Sequence, residues 1–241
     1  VLMFSGNFPD AYFSPVLGVS HIQWHAHEMF FAFGWAILGG FLLTSTKNWV
    51  QVRGHHGFSL MILSAAWFFE RLGMFFGGNW PHPLFLLSNN LFLLLIVSMI
   101  LWTLIAKRKG DSYGDNIYFI LILPIFLLSK NLLLSAEYSK IGSYMTLALF
   151  RMAFLIMLER TLTQFMKMAF QVAILRKPFL DTAIKIIAVA LVFAGFLPEV
   201  ISGTLALLLS MLLIFRFIFW KPQLAFRRMD IGIMYLGYLS I

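Results

Sequence analysis

The chain has 241 residues, of which 61% are hydrophobic and only 12% charged, with a mean hydropathy of +0.86. A soluble domain carries about a quarter charged residues and a disordered chain more, so both classes are excluded. The formal charge of +8 belongs in such a chain to loops facing the cytoplasm rather than to a nucleic-acid surface. The absence of cysteine removes disulfides, iron–sulfur clusters and thiolate metal sites.

The expected fold is all-α: a polytopic transmembrane helix bundle of about seven full spans, with partial helices at the ends, forming a single transmembrane domain over 1–241. The apolar runs place spans at roughly 24–45, 57–77, 84–106, 117–136, 141–162, 181–199 and 201–220, with a partial one from 231. Pro198 and Glu199 divide the sixth from the seventh, one bent segment being the alternative. The runs are continuous rather than alternating, which argues against a barrel. Val1-Leu2-Met3-Phe4 and the run from Ile231 are apolar pieces too short to span, so the sequence reads as a fragment or short form.

Lys47, Arg53, Lys107, Arg108, Lys109, Lys167, Arg176, Lys177, Lys221, Arg227 and Arg228 follow alternate spans, and the intervening turns hold only Lys140. By the positive-inside rule the basic loops face the cytoplasm and the Trp24–His25 end faces the periplasm.

Ionisable groups inside spans are costly and mark function by default. A rise of about 1.5 Å per residue puts His27 and Glu28, Glu70 and Arg71, Asn89 and Asn90, and Lys130 and Asn131 at one depth in the outer leaflet. Arg151 sits nearer the midplane. These groups are expected to converge on a polar site, or alternatively to neutralise one another as a structural network. On a regular first helix His25, Glu28, Ala32, Ala36 and Gly40 share one stripe, with a small-residue seam, and His21 joins if the helix starts early. His27 points to the opposite face. His21, His25 and Glu28 thus form a candidate metal-ligand set, and His27 a second candidate. His55, His56 and His82 read as loop or turn residues.

Trp24-His25-Ala26-His27-Glu28-Met29, the run Gly39-Gly40-Phe41-Leu42-Leu43-Thr44 and Asn48-Trp49 resemble the NnrS family of bacterial membrane proteins. Trp67 and Arg71 are similar to a family Trp and Gly-Arg pair, although Glu70 stands where Gly is usual. The resemblance is strongest over 24–71. Arg160 is similar to a family Arg that precedes an Ile-Pro step, which Leu162-Thr163 replaces here, and Leu236-Gly237-Tyr238 is similar to a later motif, with Tyr235 where His is expected. The resemblance implies a multi-pass protein of the bacterial inner membrane, with haem and copper as cofactors and a role in tolerance of nitric oxide and nitrosative stress. It also implies further helices outside this sequence. Its candidate ligands are His25 and His27, with Trp24, Glu28, Asn48, Trp49 and Arg71 as motif positions. The expected partners are the lipid bilayer and nitric oxide or a related small molecule, with no nucleic acid and no commitment to turnover. A proton- or ion-coupled transporter or channel using Glu28, Glu70, Arg71, Lys130 and Arg151 is the alternative, and a purely structural protein a third.

Overall fold

A computed structural model describes residues 19–172 and 177–240. Val1–Phe4 and Arg176 of the sequence reading lie outside them. The described residues are helical throughout, with no strand among them. The order is α1 (His21–His27), a π-helical segment (Glu28–Gly34), α2 (Trp35–Trp49), α3 (Phe58–Phe76), α4 (His82–Ala106), α5 (Asn116–Leu134), α6 (Ser139–Phe170), α7 (Pro178–Val192), α8 (Glu199–Phe219) and α9 (Met229–Leu239). Short 3-10 turns join several of them.

Six of the described helices are long and apolar enough to cross a membrane: His21–Trp49, Phe58–Asn79, His82–Ala106, Asn116–Leu134, Ser139–Phe170 and Glu199–Phe219. The protein is therefore a multi-pass, all-α membrane protein. The expected sixth full span is shorter than its apolar run. α7 has 15 residues, about 22 Å at the helical rise, against a hydrocarbon core of about 30 Å. It stops at Val192 because the chain turns through Ala194–Phe196 before Pro198, which lacks an amide proton and caps α8 instead. The chain thus breaks at Pro198 rather than bending through it.

Local chemistry sets the ends. Ser20 and Gln23 form a capping box at the start of α1, and Gln23 Nε2 also donates to the free carbonyls of Leu133 (3.2 Å) and Ser135 (3.0 Å) at the end of α5. Pro81 precedes α4, and Pro178 opens α7 at a position where a missing amide proton costs nothing. Three helices end on a non-glycine residue in the left-handed region: Gln51, Gln171 and Lys221.

The described residues fall into two compact units, one ending at Ser143 and the other beginning at Tyr144. In the first, α4 packs against α2, α3 and α5, and α1 against α5. Trp35, Leu38, Leu42, Ile96, Ile100, Phe119 and Phe126 are all fully enclosed there, with Trp35 set edge-on to Phe126. In the second, α7 packs against α8. Around the end of α8, Phe217 stacks on Tyr238 and meets Tyr235 edge-on, and Trp220 packs against Tyr238, both tyrosines being on α9.

The π-helical segment changes which face of the first span is buried. Bonding from i to i+5 takes about one residue more per turn than an α-helix, so the apolar stripe shifts phase across it. Ala36 and Gly40, expected in a small-residue seam, are exposed, and a methyl group on Gly40 would meet nothing. The seam is instead at Gly39, against Ile96 and Trp35.

Candidate polar site in the first unit

Two consecutive residues of the first span enter one site. His27 reaches Glu70 of α3 and Asn89 of α4, and Glu28 reaches Arg71 of α3, so the two residues share a site rather than lying on opposite faces, which corrects the regular-helix expectation. Trp67 Nε1 donates to the carbonyl of Ala32 (3.2 Å), tying the π segment to α3.

Glu70 is the centre of the arrangement. Its Oε1 lies 2.5 Å from Lys130 Nζ, 2.7 Å from Arg71 Nη2 and 3.4 Å from His27 Nε2. Its Oε2 is buried and has no hydrogen-bond partner among the described residues. Lys130 also donates to the backbone carbonyl of Asn89 and lies over the Phe31 ring. Arg71 pairs with Glu28 as well, and its guanidinium sits 5.5 Å from the Trp67 ring centre. His27 Nε2 lies 2.9 Å from Asn89 Oδ1, and its Nδ1 lies 3.3 Å from Glu28 Oε1. Two carboxylates and two cations lie around the His27 ring, a pairing that lowers the cost of enclosing this many charges. His27, Glu70 and Lys130 have no exposed surface, whereas the side chains of Glu28 and Arg71 keep 15% and 10%.

The structure thus brings His27, Glu28, Glu70, Arg71, Asn89 and Lys130 together. It leaves Asn131 outside: this residue is exposed and exchanges amide hydrogen bonds with Asn90. His21 and His25 are exposed on α1, one turn apart, and His82 is exposed at the start of α4. Arg151 is also exposed. His55 is half-buried beside Thr103 Oγ1 (3.3 Å), and His56 Nδ1 lies 3.0 Å from the Gly54 carbonyl. Trp24 is a packing residue, its Nε1 donating to the Met74 carbonyl (3.2 Å). Trp49 stacks on Phe119 and its carbonyl accepts from the Ser112 amide, while Asn48 is exposed.

Among the described residues no three His, Asp or Glu side chains are grouped to hold a metal ion. An imidazole ligand needs a ring nitrogen free to coordinate. Both nitrogens of His27 already face oxygen atoms in an enclosed space, so His27 does not fit that task in this arrangement. His21 and His25 are exposed and stand four apart, so they share one face of α1.

The family model described as NnrS protein matches residues 1–241, the whole chain. The chain belongs to the NnrS family. No curated protein and no solved structure matches it.

The second unit of this NnrS-family chain holds buried charges that the sequence reading passed over. Glu159 of α6 lies 3.2 Å (Oε2) and 3.4 Å (Oε1) from Lys185 Nζ of α7. Arg216 Nη1 of α8 lies 3.3 Å from Glu159 Oε2 and 3.5 Å from Asp181 Oδ1. Arg216 Nε donates to the Tyr238 hydroxyl (3.2 Å), which itself donates to the Leu213 carbonyl (3.0 Å). Arg160 is buried on α6, and Tyr235, at the position where His is expected, donates to the Trp220 carbonyl. Asp181 and Lys185 stand four apart in an otherwise apolar helix, a signal legible in the sequence. Arg216 stands in the last turn of α8, close to a basic loop.

Proposed function

We propose that this NnrS-family chain is a haem- or copper-binding protein of the bacterial inner membrane that takes part in the response to nitric oxide. The observation that carries the reading is the family match over the full length of the chain. The distribution of basic loops supports an orientation with His25 at the periplasmic end and the loops in the cytoplasm. His21 and His25, exposed one turn apart on α1, are the candidate metal ligands in this reading, with Glu28, Glu70, Arg71, Asn89 and Lys130 as the polar site. When bound, a haem or copper centre supplies a coordination position for nitric oxide. The chain's own contribution is electrostatic: paired carboxylates and cations, with Glu70 and Lys130 fully buried, set the field beside α1.

The test is an absorption spectrum with metal analysis on the purified full-length protein. A Soret band or bound copper that is lost in His25→Ala supports the reading. Colourless, metal-free protein overturns it.

A second reading, proton- or ion-coupled transport, is favoured by the enclosed Glu70, whose Oε2 has no hydrogen-bond partner among the described residues. A pH- or ion-dependent flux in liposomes that Glu70→Gln abolishes would establish it, and an unchanged flux would dismiss it.

A further inference from the structure

We propose that one end of the second unit is a docking surface for anionic phospholipid, whose phosphate meets a ring of exposed cations and whose acyl chains cover the apolar side chains beside them. The surface stands apart from the metal reading above and does not depend on it.

The buried ion pairs fix the level of the helices against one another. Glu159 of α6 pairs with Lys185 of α7 and Arg216 of α8, and Arg216 bonds to Tyr238 of α9. At the helical rise, about 12 Å of axis separates Glu159 from Lys167, and the same separates Lys185 from Lys177. About 7 Å separates Arg216 from Lys221, and about 15 Å separates Tyr238 from Arg228. Lys177 Nζ lies 4.2 Å from the Phe219 ring centre, so the start of α7 stands beside the end of α8. Tyr235 donates to the Trp220 carbonyl, which turns α9 back along α8. Lys167, Lys177, Lys221, Arg227 and Arg228 are thereby gathered at one rim, and all are exposed.

Little negative charge opposes them. Among the described residues of this unit Asp181 points inward to Arg216, and Glu199 stands at the far end of α8. Asp230, paired with Arg228, is the exposed carboxylate of the rim. The apolar neighbours identify the partner. Phe179, Met229 and Met168 are 89%, 88% and 81% exposed, the most exposed large apolar side chains among the described residues. Each stands one or two positions from a cation of the rim: Lys177, Arg228 and Lys167. Membrane orientation accounts for the cations but not for an apolar side chain beside each. An acidic protein or a nucleic acid would satisfy the charge and leave these groups wet. An anionic lipid satisfies both, with phosphate at the ammonium or guanidinium and hydrocarbon just below it.

The experiment titrates the purified full-length chain, in a neutral detergent, with phosphatidylglycerol or phosphatidylcholine and counts bound lipids by native mass spectrometry. Phosphatidylglycerol is expected to bind at least about fivefold more tightly. The combined variant Lys167→Gln, Lys177→Gln, Lys221→Gln, Arg227→Gln is expected to lose at least about threefold of that preference. Asp230→Asn keeps all five cations and removes the carboxylate, so it is expected to raise the preference about twofold, which decides the matter should the combined variant fail to fold. Equal affinity for the two lipids, an unaltered preference in the folded combined variant, or no gain in Asp230→Asn overturns the proposal. Displacement of phosphatidylglycerol by millimolar glycerol phosphate also overturns it, because the surface would then read phosphate without the lipid.

Discussion

Lys130 Nζ of α5 lies 2.5 Å from Glu70 Oε1 of α3, and neither side chain has any exposed surface. Two charges so enclosed hold each other in place, and removing one strands the other. Lys130→Met is expected to cost about 3–5 kcal/mol, whereas the double change Lys130→Met, Glu70→Leu recovers much of the loss. Thermal midpoints of the detergent-solubilised protein check this. A double variant less stable than the single would show that the pair is not coupled as described.

Two histidines of α1, His25 and His27, are predicted to separate. His25→Ala should lower haem or copper content, while His27→Ala should leave the metal in place and lower stability instead, because it removes the enclosed ring between Asn89, Glu28 and Glu70. A spectrum of His27→Ala that loses its metal signal while the protein stays folded would contradict this assignment.

Gly142, near the start of α6, has room for no side chain. A methyl group there would overlap the backbone of Leu132 and Leu133 at the end of α5. Gly142→Ala is expected to destabilise the first unit by about 1–3 kcal/mol or more, since backbone yields less readily than a side-chain tip. Gly40→Ala, which meets nothing, is the control and should leave the thermal midpoint within error.

Gln171 ends α6 at φ +55°, with its amide bonded to the Lys167 carbonyl and the Val172 amide reaching the Met166 carbonyl. A side chain in this left-handed conformation costs about 1 kcal/mol that glycine avoids. Gln171→Gly is therefore expected to raise stability by up to that amount. A fall in the thermal midpoint would show that the Gln171 side chain contributes a contact worth more than the strain.

Hydropathy and charge were enough to establish a multi-pass, all-α membrane protein, and the His25–Glu28 and Asn48–Trp49 segments were enough to suggest its family. Both are local properties: the free energy of burying twenty apolar residues, and the short motif itself, do not depend on which neighbour a helix meets. The shared depth of Glu70, Arg71, Asn89 and Lys130 also follows from counting residues along each helix. Facing is different, because it depends on helical phase. The π-helical turn at Glu28–Gly34 moved that phase, bringing His27 in beside Glu28 and exposing Ala36 and Gly40. That Lys130 met Glu70 and Asn89, and how Glu159, Lys185 and Arg216 found one another, was decided only by packing between helices, since those partners are 26 to 60 residues apart in the chain.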